Sequence, residues 1–282
     1  MALFGSDFKR ARYEWLYPSE PLQWFWRGTL LFIVLAAFDL ILQSVGAIGA
    51  FLLIFKHSLA EFSDMSSGMP PDLLKAGVIG LTPAAIVLSF CAIYFGRFGL
   101  PDRQGRLLLH YPKLGILGWL VVIGGFVILM YSVFALTFVI LGIDPATYSP
   151  SGGLNDKSNS AGMVEKTIAE FAKSPMLFAL ALPSVMLAGP ITEELLFRGA
   201  FFSALASSPV GKVGAVLITS ALWALVHRLS PAPWLFVGVL FIMGIVLGVL
   251  LLRFGSLWVT IACHVVWNAI SSLAIFGTGP QQ

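Results

Sequence analysis

Apolar residues run along this chain in long blocks, at about 28–55, 74–96, 114–142, 175–206, 213–229, 234–252 and 257–277. Each block matches or approaches the ~20 apolar residues that cross a bilayer as a helix. The pattern predicts about seven spanning helices. An eighth follows if Gly189-Pro190 splits the fourth block instead of bending one long helix. The fold class is therefore all-α: a polytopic transmembrane helical bundle of about seven to eight helices. Neither an internal repeat nor a low-complexity tract is evident. Residues 1–27 mix polar and aromatic side chains and lack the short apolar core and small-residue cleavage site of a signal peptide, so the N-terminus is expected to be retained. Trp24, Trp26 and Arg27, at the mouth of the first block, read as interfacial anchors.

Composition agrees with the pattern. Of the 282 residues 58% are hydrophobic and 11% charged, against roughly 25% charged in a soluble domain, which excludes a soluble globular enzyme. A net charge of +3, thinly spread, excludes a nucleic-acid partner, which needs a concentrated basic face. Cys91 and Cys263 lie far apart in apolar stretches without C-x-x-C spacing, so neither a disulfide framework nor a thiolate metal site is indicated.

Lys and Arg near the block ends set the orientation. With seven spans, Lys9, Arg10, Arg12, Arg27, Arg97, Arg103, Arg106, Lys113, Lys212 and Arg253 share the side of the N-terminus. Lys56, Lys75, Lys157, Lys166, Lys173 and Arg228 fall on the other. The excess predicts a cytoplasmic N-terminus. The segment 143–174 then begins as a polar extracytoplasmic loop, and its MVEKTIAEFAK stretch is expected to form a short interfacial helix.

Against so apolar a background the ionisable residues inside the blocks are the informative ones, because each costs several kcal/mol unless it faces the bundle interior or a wet cavity. They are Asp39 in the first block, Glu193, Glu194 and Arg198 in the fourth, His227 at the end of the fifth, and His264 in the last with Asn268 one turn on. Glu194 and Arg198, at i, i+4, share a helix face and neutralise one another, whereas Glu193 is rotated by about 100° and has no near-sequence partner. Glu193 is thus the candidate general base. A structural polar knot between helices is the competing reading. His264 and Asn268 also share a face, suited equally to interhelical hydrogen bonds and to chemistry. Trp223, four residues before His227, could simply pack against its ring.

At ~1.5 Å per residue, Glu193 lies roughly 20 Å from the cytoplasmic end of its block, His227 roughly 22 Å into its own, and His264 and Asn268 about 12 and 18 Å into theirs. These depths suit one cluster. A carboxylate, two imidazoles and an amide supply what peptide hydrolysis needs: a base for water, an acid for the leaving amine, and donors for an oxyanion. Phe241-x-x-Gly244-x-x-x-Gly248 adds a small-residue face for close helix packing.

In order and spacing, Glu193-Glu194-x-x-x-Arg198, Trp223-x-x-x-His227, Phe241 with its glycines, and His264-x-x-x-Asn268 resemble the signature of the CAAX-processing and bacteriocin-processing (CPBP, Abi) intramembrane proteases. The family is related to the CAAX prenyl endopeptidases. The resemblance covers about 175–277, and the one departure is Trp223, where the family usually has Phe. It implies a glutamate-dependent endopeptidase acting on a membrane-associated protein or peptide. Glu193 and His227 would activate water, His264 and Asn268 would hold the oxyanion, and Glu194 and Arg198 would support them.

The resemblance also divides the chain into a variable N-terminal membrane region, 1–174, with about three spans and the polar loop, and a catalytic core, 175–277. It places the protein in membrane lipid, in a bacterial inner membrane. No cofactor is expected. The alternative is zinc held by Glu193, His227 and His264, ligand types that suit a catalytic site, although H-E-x-x-H is absent. Two non-proteolytic readings stand beside it: a membrane scaffold or bacteriocin-immunity partner, and a transporter using Asp39 and the glutamates as a proton relay. Polar groups not being shared between two similar halves counts against the transporter. Asp39 is left unassigned, with a hydrogen-bonded acid facing the bundle preferred to a catalytic role.

Overall fold

The structure, a computed structural model, describes residues 21–63, 71–99, 109–142, 148–149, 153–154, 171, 174–228 and 234–277. Eight helices occupy these segments: α1 (Pro21–Leu53), α2 (Leu59–Ser63), α3 (Pro71–Gly99), α4 (Ile116–Leu141), α5 (Pro175–Ala206), α6 (Gly211–Val226), α7 (Trp234–Phe254) and α8 (Leu257–Gly277). Tyr148–Ser149 pairs antiparallel with Gly153–Leu154 in the polar loop. The interfacial helix expected within 163–173 lies outside the described residues apart from Phe171, which is buried.

All seven apolar blocks are helices. Five (α1, α3, α4, α5 and α7) are long and apolar enough to cross a membrane, and the apolar parts of α6 and α8 are shorter. Their outer faces expose Leu30, Ile33, Val34 and Ile41 on α1 and Leu120, Val121, Ile128 and Leu136 on α4. Apolar surface on this scale is tolerated against lipid, not water. The first helix starts seven residues before its apolar block and takes in the aromatic anchors, where the Arg27 guanidinium lies 5.1 Å from the Trp24 ring centre.

Gly189-Pro190 does not divide the fourth block. Backbone angles stay helical through Gly189 (φ −55, ψ −60), and the chain passes the dipeptide by widening into π turns at Ser184–Ala188 and Glu194–Phe201. A π turn bonds each N–H five residues back, so it absorbs an extra residue without breaking the helix.

Two glycine-lined contacts bring helices close. A β-carbon on Gly46 of α1 would lie 2.5 Å from the carbonyl oxygen of Gly80 on α3. The Gly244/Gly248 face of α7 meets α6, where β-carbons would lie 2.8 Å from Ser220 Cβ and 3.1 Å from Val216 Cγ1. The second contact gives the Phe241-Gly244-Gly248 motif its role, ordinary helix packing. One buried cluster joins Leu31, Phe32 and Leu35 of α1, Leu88 of α3, Phe126 and Met130 of α4 and the inner faces of α5 to α8. At the α7–α8 corner Gly255 has φ 59, a left-handed conformation open to glycine, and Ser256 Oγ donates to the His110 carbonyl at 2.7 Å. The start of α8 is fixed there, and with it the height of His264.

Candidate active site

The π segment of α5 carries Glu194 and Arg198, with Glu193 just before it. Glu194 and Arg198 are both fully buried, and Arg198 Nη1 donates to Glu194 Oε1 at 3.0 Å. The same oxygen accepts from His264 Nδ1 of α8, also at 3.0 Å. The guanidinium lies over the Trp223 ring of α6, 4.5 Å from its centre. Arg198 thus neutralises one carboxylate and stacks on the aromatic residue that separates it from the other.

Glu193, one position earlier, faces a different set of partners. Its Oε2 accepts the Trp223 indole N–H at 2.5 Å and lies 3.9 Å from both His227 Nε2 and His264 Nε2. Trp223 holds both imidazoles edge-on, with ring centres 5.0 Å from His227 and 5.4 Å from His264. The side chains of Glu193 and His227 are 29% and 27% exposed, against 0% for Glu194 and Arg198. That difference separates an accessible carboxylate from an inaccessible one.

The partners also assign the ring protons. His227 Nδ1 lies 2.9 Å from the Trp223 carbonyl, which can only accept, so Nδ1 carries hydrogen and Nε2 is the ring nitrogen on the side of Glu193. His264 Nδ1 likewise donates to the Arg198-paired carboxylate. A second proton on Nε2 would make that nitrogen a donor, with Glu194 stabilising the cation.

Asn268 is placed differently. Its Nδ2 donates to the Val185 carbonyl at 3.1 Å, bridging α8 to the first π turn of α5. In that turn the Gly189 N–H bonds Ser184 O, so the next carbonyl in the same register, Val185, would be served by residue 190, which is proline and has no N–H. One amide hydrogen of Asn268 fills the gap. The structure therefore brings His227 and His264 each to 3.9 Å from Glu193, sets Glu194 and Arg198 behind them, and gives Asn268 a backbone partner on α5.

The zinc alternative meets a local obstacle. The oxygen of Glu193 that faces both imidazoles already accepts the Trp223 N–H, and among the described residues no group of three His, Cys, Asp or Glu is arranged to hold a metal ion.

Sequence reasoning missed one contribution: Trp223 is a hydrogen-bond donor to the candidate base as well as a packing ring, and only its departure from Phe hinted at this. Asp39, on α1, is buried, and its Oδ2 accepts from Gln43 Nε2 at 2.7 Å.

A polytopic helical membrane protein with a partly open carboxylate set between two imidazoles has the group set of a hydrolase buried in its bundle. Residues 175–270, from the first turn of α5 to just beyond Asn268, match the family described as Type II CAAX prenyl endopeptidase Rce1-like. No curated protein and no solved structure matches the chain.

Proposed function

We propose that the protein is an intramembrane endopeptidase that hydrolyses a peptide bond of a membrane-associated protein or peptide without a metal. The observation that supports it most directly is the 3.9 Å separation of Glu193 Oε2 from His227 Nε2. This is too long for a direct hydrogen bond and short enough for one water to touch both. Such a water gives a proton to Glu193 as its oxygen attacks the substrate carbonyl, while the His227 lone pair orients its other hydrogen. His264 Nε2, protonated against Glu194, and the second amide hydrogen of Asn268 face the developing oxyanion. The proton on Glu193 passes to the leaving nitrogen as the C–N bond breaks, and the carboxylate is restored. Trp223 holds Glu193 in place, and the Glu194–Arg198 pair holds His264.

The N-terminus is assigned to the cytoplasm of a bacterial cell and the catalytic cluster to the membrane interior, where substrate enters from lipid. A scaffold or immunity role needs the same helix contacts but not an accessible carboxylate between two imidazoles. The test is cleavage of endogenous membrane proteins, read as new termini by mass spectrometry in cells carrying wild type, Glu193→Gln or His227→Ala. Both variants are expected to insert normally and to lose at least ~100-fold in cleavage, the scale of a missing general base. Cleavage by the purified enzyme should survive exhaustive chelation. Biological activity unchanged in both variants sinks the proteolytic reading, and loss on chelation restored by zinc sinks the metal-free one.

A further inference from the structure

Gly189 of α5 is a glycine that neither backbone conformation nor helix packing requires. Its φ of −55 and ψ of −60 are open to any residue, and glycine is the poorest helix former after proline. A β-carbon built on it would have no described residue of another helix within 4 Å, unlike Gly46, Gly80 and Gly244, whose β-carbons would come within 3 Å of a neighbouring helix. Its nearest atoms would be the Ser184 carbonyl oxygen of the same helix at 3.7 Å and Glu193 Oε1 at 3.8 Å, both ordinary van der Waals distances. A methyl group therefore fits the fold. Among the glycines whose surroundings are described, Gly189 is the one whose side chain would touch the candidate base.

Its place is between the groups that the proposed mechanism uses. Glu193 follows it by about one turn, and Oε1 is the carboxylate oxygen on the Gly189 side, Oε2 being turned to Trp223 and the two imidazoles. The Val185 carbonyl points along α5 toward residues 189 and 190, so Asn268 Nδ2, 3.1 Å from that oxygen, lies at the level of Gly189. Val185, Gly189 and Glu193 are half-buried, whereas Ala188, Pro190, Thr192 and Glu194 are buried. Bare backbone at Gly189 thus forms a partly open stretch between the carboxylate and the amide.

A peptide bond attacked by water at Glu193, with its oxygen toward His264 and Asn268, crosses α5 at this level. We propose that Gly189 is a specificity-determining residue: the space left by its missing side chain takes the side chain of the substrate residue flanking the scissile bond, and admits residues larger than alanine there. Glycine lets a ligand approach the backbone closely, and a methyl group at this position would occupy that space and cover Glu193 Oε1. The inference rests on the catalytic reading of Glu193.

The test digests one proteome-derived peptide library, in detergent, with purified full-length wild type, Gly189→Ala and Glu193→Gln, and reads the residues on both sides of every cleaved bond by mass spectrometry. Wild type is expected to cleave bonds that carry leucine, isoleucine or phenylalanine at one of the two flanking positions. Gly189→Ala should unfold no earlier than wild type on heating and keep cleaving bonds with glycine, alanine or serine at that position. Relative to these it should lose the bulky residues by about 10–200-fold, the discrimination that one methylene gives in an enclosed pocket. A wild type that accepts only glycine, alanine or serine at both positions overturns the proposal, as does a Gly189→Ala profile left unchanged or scaled down equally for all residues. So does a Gly189→Ala protein that does not fold, because the methyl group then has no room. Cleavage by Glu193→Gln at the wild-type rate overturns the catalytic reading, and the specificity inference with it.

Discussion

Replacing Arg198 by Met removes the cation from a pair in which both partners are inaccessible to solvent and 3.0 Å apart. The Glu194 carboxylate then loses its only cationic side-chain partner on α5 and keeps the His264 Nδ1 hydrogen bond. Breaking a buried pair from one side costs about 3–5 kcal/mol, because the remaining charge cannot reach water. Loss of the guanidinium from the face of Trp223 adds about 0.5–2 kcal/mol. In Glu194→Gln/Arg198→Met both charges are gone, Gln keeps an oxygen for His264, and Met fills most of the arginine volume. The double variant should therefore be more stable than Arg198→Met, with a coupling of about 2 kcal/mol, inside the range found for residues in direct contact. Equilibrium unfolding in mixed micelles, followed by far-ultraviolet circular dichroism, measures all three. Single substitutions that each cost under about 1 kcal/mol and add independently would refute the reasoning, since two desolvated charges cannot be that indifferent to each other. Cleavage supplies a second reading. The double variant should retain a measurable fraction of wild-type activity where Glu193→Gln retains none. A double variant that is stable and fully inactive would move Glu194 from support into the chemistry.

The other predictions are briefer. Trp223→Phe keeps the ring between Arg198 and the two imidazoles but removes the donor to Glu193, a charge-assisted bond of about 1.5–3 kcal/mol. It should fold like wild type and lose about tenfold or more in kcat/KM, and unchanged kinetics would reduce the indole N–H to a bystander. Asn268→Ala should destabilise the bundle by about 1–3 kcal/mol through the orphaned Val185 carbonyl, and Pro190→Ala, which restores an N–H, should recover that loss without recovering cleavage. At the junction of α1 and α3, outside the spans, His57 is held by Asp72 and Glu61 at 3.1 Å each. Its pKa lies above the usual 6.5, chiefly through the Asp72 hydrogen bond, and that of Glu61 lies below 4.5, through the Ser58 backbone N–H and then His57. The His57 contribution is complete below pH 6.5 and fades as pH rises through its raised value, while the Glu61 contribution is present above pH 4.5 and fades as pH falls through its lowered one. Amide exchange over 54–62, corrected for intrinsic rates, should accelerate on the alkaline side in wild type and lose that dependence in His57→Gln.

Much of the fold could be read from the chain because a bilayer makes the hydrophobic signal direct: each apolar block had to be a helix. The same scarcity of charge picked out the residues of the site, and helix periodicity separated Glu194, with Arg198 four residues on, from Glu193. Other features depend on partners distant in the chain. Nothing local to Gly46 or Gly80 says that they meet. Trp223 looked like a packing ring, since its donor property matters only once Glu193 of another helix is opposite. The π turns escaped notice because Gly189-Pro190 signals a disturbed helix without saying whether it breaks, bends or widens.

The prolines show how these missed features bear on one another. Pro83 of α3 cannot donate to the Ile79 carbonyl four residues back, and the Ser184 hydroxyl of α5 lies 3.4 Å from that oxygen, with Thr82 Oγ1 2.7 Å from the same hydroxyl. Pro190 of α5 cannot serve Val185 in the π register, and Asn268 of α8 does so. In lipid a freed carbonyl has no water to turn to, and at these two prolines a side chain on a neighbouring helix takes the place of the missing N–H. The two contacts engage Ser184 and Val185 of α5, about two turns before Glu193, and tie α5 to α3 on one side and to α8 on the other. A helix widened at Ser184–Ala188 and pinned at both flanks can present Glu193 toward α6 and α8 while the next residue, Glu194, turns into the core. Asn268 thereby serves the position of the candidate base whether or not its second amide hydrogen reaches the oxyanion. This is why stability and cleavage have to be measured separately at that residue.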